Sequence, residues 1–200
     1  MAENGNAGIP KRQLIMEAGL KIFSQKGFHK TKIEEIAQEA GIGKGTVYEY
    51  FAGKEQLFQE ILEDGLNLFD TLVQEEVQLY ERTNEKLQAL VRNSIVLWQR
   101  YRPLARSMLS EITLFDEAFR TSLLERHERW LSYIQMVIDE GIKNGEIREI
   151  NSKLFARLFY GGMGAIVNPY DDTTFAKETI AELARQTVDY YLRGIVNTCQ

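Results

Sequence analysis

Residues 31–50, TKIEEIAQEAGIGKGTVYEY, constrain the fold of this chain more than any other stretch. Ile33, Ile36, Ala37 and Ala40 recur at i, i+3, i+4 and i+7, which lines one apolar stripe on a helix. Thr31 is placed to cap that helix, and Glu34 stands three residues on, where it completes a capping box. Gly41 supplies the backbone freedom that closes the helix. Lys44 to Tyr50 is too short and too polar to fold alone, so neighbours must hold it. Two short helices around a glycine turn, the second offering Lys44, Gly45 and Thr46, fit the element that enters a DNA major groove.

The rest of the chain reads as helix too, with no β-alternating run of useful length. A first helix over about Lys11–Lys26 carries Leu14, Ile15, Ala18, Ile22 and Phe23 on one face and ends at Gly27. After Gly53 a long helix runs to about Tyr80 with Leu57, Phe58, Ile61, Leu62, Leu66, Phe69, Leu72, Val73 and Val77 along it. Asn84 is placed to cap the next, Pro103 to break it and start a shorter one, and the Asn144-Gly145 pair to end a helix begun near Asp116. Ser152–Val167 and Thr174–Asn197, separated by the turn signal NPYDD, complete nine expected helices.

Charge and composition narrow the functions open to such a chain. Its net charge is −5, which argues against a general nucleic-acid binder. Residues 1–54, however, hold 8 Lys and Arg against 6 Asp and Glu, a net +2, and the remainder holds 16 against 23, a net −7. Only the first quarter can meet phosphates without general repulsion. No apolar run approaches the roughly 20 residues of a membrane span. The first nine residues read as a polar tail without the apolar middle of a signal peptide. Cys199, the single cysteine, permits no internal disulfide, so a reducing cytoplasm is the natural setting.

Residues 10–57 resemble the DNA-binding domain of the TetR family of transcription regulators. The likeness rests on FSQKGFHKTKIEEIA, then AGIGKGTVYEYF, then a helix-opening GKEQLF, in that order. The remainder agrees only in being all-helical and of similar length. The resemblance implies an all-α fold: a three-helix helix-turn-helix domain over 10–53, then a six-helix ligand-binding and dimerisation domain over 54–200. Thr31, Lys44, Gly45, Thr46, Tyr48 and Lys54 are the positions expected to meet DNA. Lys44 could donate to guanine, and Thr46 suits thymine or a phosphate. Tyr48 matches a family tyrosine that binds phosphate, and Lys54 would favour another. Val47 and Phe51 should point inward. Lys11 and Arg12 offer a further backbone contact or a solvated end. Gly43 stands where the family often has Ser or Thr, which removes a cap, and Glu49 should face solvent.

Catalysis finds no support. GIGKGT lacks the Ser or Thr that a phosphate loop needs directly after its lysine, and no strand precedes it. His29 and His127, the only histidines, lie in separate parts of the chain, and neither belongs to a metal-like cluster or a nucleophile–base pair. No metal and no cofactor is expected.

The aromatic-rich second part is the expected sensor. The resemblance implies a cavity among its middle helices, and polar atoms on apolar faces should mark it: Trp98, Tyr101, His127, Tyr133 and Asn168. FARLFYGGMGAIV has three glycines within four positions, each about 1 kcal/mol worse than Ala in a helix, so something must offset them. In the family the last two helices pair with their copies. That implies a dimer interface of Phe155, Phe159, Gly162, Ile166, Leu183, Val188, Tyr191 and Leu192. The expected protein is a homodimeric, ligand-released repressor with operator DNA and a hydrophobic or aromatic effector as partners. The alternative is a helical interaction module that binds a protein or small molecule without reading DNA.

Overall fold

A computed structural model describes residues 10–110, 115–167 and 173–194, and every element among them is helical. The order is α1 Lys11–Lys30, α2 Ile33–Ala40, α3 Lys44–Tyr50, α4 Lys54–Val77, α5 Thr83–Ser110, α6 Glu117–Lys143, α7 Ser152–Ile166 and α8 Lys177–Arg193. The described chain divides into two compact units. One runs to Leu66 and takes in Tyr101–Asp116; the other takes in Asn67–Arg100 and the chain from Glu117 onward. Both α4 and α5 therefore contribute to each unit.

The first unit is built on the apolar faces read from the sequence. Ile15, Ile22, Phe23, Ile36, Val47, Phe51, Leu57 and Phe58 are all buried. Phe23, Phe28 and Phe58 form an aromatic cluster, with Phe23–Phe58 centroids 4.9 Å apart and Phe28–Phe58 5.1 Å apart. Gly19 lets α4 lie close on α1: a methyl group there would sit 2.7 Å from the Ile61 side chain. In the second unit, Val73, Leu87, Leu90, Ile95, Ile134, Val137, Phe159 and Val188 share one core.

Several helix ends differ from the expectation, each for a local reason. Gly27 does break α1, with φ +74°, but one more helical turn follows it before Thr31. Thr31 does not cap α2. It is buried, and its hydroxyl donates to the Gly27 carbonyl at 2.7 Å. The cap moves one residue on: Lys32 is the N-cap, and the Glu35 carboxylate accepts from its N–H at 3.0 Å. Glu34 is thereby freed from the capping box. Asn84 likewise lies inside α5; the Thr83 N–H at its start donates to the Glu146 carboxylate, 2.9 Å away.

Pro103 does not end a helix, so eight helices stand among the described residues where nine were expected. Proline removes one donor and crowds the carbonyl four residues back. Within 28 residues of otherwise continuous α5 that loss is tolerated. α8 opens at Lys177, later than expected, and closes at Gly194, whose φ of +76° is a ready stop that the reading passed over.

Candidate nucleic-acid interface

The front of the first unit is α3 with the α2 face beside it. Val47 and Phe51 point inward as expected, each buried within 1% of full exclusion. Lys44, Gly45, Tyr48 and Glu49 are exposed, and Thr46 is half-buried. Gly43 begins the helix without a side-chain cap. A methyl group on Gly45 would meet nothing within 4 Å in the chain. Its glycine costs about 1 kcal/mol in a helix and has no internal use there.

Three lysines near this face are held by α2 carboxylates. Lys44 pairs with Glu34, Lys21 with Glu39, and Lys26 with Glu35 at 2.6 Å. The Lys44 ammonium also lies 5.8 Å from the Tyr48 ring centroid. The hydrogen bond from Lys44 holds the Glu34 carboxyl below its usual range, and Glu34 in turn raises Lys44. Glu35 is lowered in the same way, first by Lys26 and then by the Lys32 N–H. The Glu34–Lys44 pair escapes sequence reasoning because it joins two helices across a turn, ten positions apart, outside any single-helix spacing.

Lys54 has a different task from the one expected. Its ammonium donates to the carbonyls of Phe28 at 2.9 Å and Thr31 at 3.2 Å, with that of His29 at 3.5 Å. It also lies 4.3 Å from the Phe28 ring centroid. Those contacts tie the start of α4 to the turn between α1 and α2. Thr31 is similarly engaged through its hydroxyl. Arg12 pairs with Glu60 and lies over the Phe51 ring at 5.4 Å, which makes it a link from α1 to α4.

The residues expected to line a ligand site are not all gathered together. Tyr101 belongs to the first unit, where its ring packs against Gly65. Trp98, His127 and Tyr133 belong to the second. His127 meets Tyr160 edge to face at 4.9 Å. Tyr133 borders an open groove with Gln74, Leu124, Glu128 and Met136. Asn168 lies outside the described residues. Trp98 Nε1 is buried without a hydrogen-bond partner, and so is Asn93 Nδ2 on the same helix, which the sequence reading missed. Desolvation pushes the Tyr160 and Tyr133 hydroxyls above their ordinary pKa.

The expected dimer residues divide by helix phase. Phe159 and Val188 are buried in the chain's own core and cannot face a partner. Phe155, Ile166, Leu183, Tyr191 and Leu192 pack partly against the same core. Gly162 has an internal reason: a methyl group there would collide with the Tyr191 hydroxyl, which donates to the Leu158 carbonyl at 2.8 Å. The exposed apolar stripe of α7 is the adjacent one, Leu154, Leu158, Gly161 and Ala165. The expected interface residues thus lie largely on the faces that α7 and α8 turn to the chain's own core, and the exposed apolar residues of α7 lie beside them.

A buried three-helix frame that presents a short polar helix after a glycine turn has the form of a helix-turn-helix DNA reader. Residues 15–61 match the family model described as bacterial regulatory proteins, tetR family, and residues 80–195 match the tetracyclin repressor-like C-terminal domain. The chain belongs to the TetR family of DNA-binding transcriptional regulators, a family of regulators and not of enzymes. It is similar to the fatty acid metabolism regulator protein of Bacillus subtilis, 23% identical over 189 residues, 94% of this chain and 97% of that one. The fold matches the B. subtilis FadR structure in complex with stearoyl-CoA, with TM-score 0.73, 22% identity, and 92% and 99% of the two chains covered. It also matches AibR in complex with isovaleryl coenzyme A and operator DNA, with TM-score 0.70, 23% identity, and 92% and 98% covered. No helix among the described residues is long and apolar enough to cross a membrane.

Proposed function

We propose that the protein is a homodimeric cytoplasmic repressor that a fatty acyl thioester of coenzyme A releases from its operator. The observation that carries the effector class is the pair of buried, unpartnered donors on α5, Asn93 Nδ2 and Trp98 Nε1, in a unit otherwise rich in apolar and aromatic side chains. A buried N–H without an acceptor costs about 1–3 kcal/mol, and a ligand carbonyl removes that cost while its chain takes apolar surface. Two proteins of the same fold were solved with acyl-CoA ligands, and the fatty acid metabolism regulator is a relative in sequence.

Release needs only that the ligand bind the DNA-incompetent conformation better; each tenfold of preference is worth about 1.4 kcal/mol. The exposed stripe Leu154, Leu158, Gly161 and Ala165 supports pairing of α7 with its copy. Gly161 and Gly164 have open space where a side chain would lie, so nothing among the described residues explains them. Two recognition helices in one dimer could then meet successive major grooves about 34 Å apart.

The test is fluorescence anisotropy on a duplex selected from a random pool by the protein itself. Acyl-CoAs of short, medium and long chain should weaken binding in a chain-length-dependent way, while free coenzyme A should not. Retention of full DNA affinity with every acyl-CoA would overturn the effector assignment.

A further inference from the structure

We propose that Glu34 is a specificity-determining residue that acts on DNA through Lys44, by competing with phosphate for the recognition-helix ammonium. The proposal rests on the reading that α3 enters the groove. Glu34 is the exposed residue of α2 whose carboxylate reaches across to α3. The capping-box bond to the Lys32 N–H is made by Glu35, and within its own helix the Glu34 carboxylate meets only its own backbone N–H, so its reach to another helix is to Lys44. Both partners are substantially exposed, with side chains 49% and 57% accessible for Lys44 and Glu34, so neither holds the fold together. An exposed pair contributes little to stability, and its consequence lies at the surface where it stands.

An ammonium has three donors and no acceptor. With one directed at Glu34, two donors remain for other acceptors such as the N7 and O6 of guanine. A phosphate demands something else: it approaches with its own negative charge and meets the Glu34 carboxylate beside the same ammonium. In a sequence-independent complex Lys44 must leave Glu34, or the phosphate must bear the repulsion. In the specific complex the ammonium can keep both partners. Glu34 therefore lowers affinity for random DNA more than affinity for the operator. It raises the ratio between them without touching a base.

The arrangement differs from the other two pairs on α2. Lys21 and Lys26 lie on α1, and their pairs with Glu39 and Glu35 hold α2 to α1. Glu39→Gln is thus a control that removes the same charge from the same helix without freeing Lys44.

Full-length protein is titrated by anisotropy onto two duplexes: one selected from a random pool by the wild type, and a scramble of it. For Glu34→Gln, binding to the scramble should tighten about two- to five-fold, the range of an exposed pair. Its log–log salt slope should steepen by about one unit as a phosphate contact is gained. The selected duplex should tighten by less, so the specificity ratio falls. Glu39→Gln should move both duplexes equally, and Glu34→Gln should have no effect on the ratio in a Lys44→Ala background. Equal tightening on both duplexes by Glu34→Gln, or an unchanged ratio, overturns the role of Glu34 alone. Failure of the wild type to select any duplex overturns the DNA reading and this proposal with it. Thermal melting of each variant confirms that all are compared in the folded state.

Discussion

Lys54 illustrates how a residue can sit in a DNA-binding motif and yet serve the protein. Its ammonium gathers carbonyls from the turn that follows α1 and leans on the Phe28 ring. Hydrogen bonds to a charged donor are worth about 1.5–3 kcal/mol, so Lys54→Ala should destabilise the protein by about that amount. Chemical denaturation followed by circular dichroism reads the change. Well below the melting temperature, the salt slope of DNA binding for Lys54→Ala should match that of the wild type. A slope shallower by about one unit would return Lys54 to the phosphate contacts. Apolar residues were legible in the sequence at this scale, and Val47 and Phe51 are inward as their spacing demands. The polar residues were less so. Thr31, Lys54 and Glu34 are each defined by partners on another element, and periodicity within one helix carries no information about them.

Among the elements, α2 and α7 show what local pattern can and cannot fix. Both were placed almost to the residue, though the cap of α7, Asn151, whose side chain accepts from the Leu154 N–H at 2.9 Å, was not part of that reading. The break in α1 at Gly27 and the persistence of α5 through Pro103 differ because glycine at φ +74° redirects the chain, whereas proline keeps a helical φ. Gly161 and Gly162 look alike in sequence and differ in structure. Gly162→Ala should displace the Tyr191 hydroxyl from the Leu158 carbonyl and cost about 1–3 kcal/mol. Gly161→Ala should stabilise an isolated subunit by up to about 1 kcal/mol. Thermal melts of the two variants at low concentration separate them. The α2 pairs also predict a pH response. Because the folded Glu35 carboxyl is held below 4.5, its contribution is fully present above that value and is lost as pH falls through the folded pKa. The gap in melting temperature between wild type and Glu35→Gln should therefore narrow as pH drops below about 4.5; a gap that widens would contradict the sign.

For the whole molecule, the sequence conveyed an all-helical regulator of the TetR type, and the family match agrees. It did not convey which face of α7 is open, because α7 carries apolar residues around much of its circumference. Neighbouring substitutions on α7 distinguish the two faces. Leu158→Asp should leave helicity intact and convert a dimer to monomers in light scattering. Phe159→Ala should instead cost about 3–5 kcal/mol of folding stability, since that ring is fully buried. A stable dimer in Leu158→Asp would place the contact between subunits elsewhere.

The turn at Phe28–Thr31 has one more consequence. Lys54 and the Thr31 hydroxyl grip main-chain carbonyls of Gly27, Phe28, His29 and Thr31, atoms that every amino acid possesses. Lys30, exposed there, can therefore drift in identity while the corner keeps its shape. Within this corner, selection is free to retune the charge it shows to the outside without renegotiating the fold.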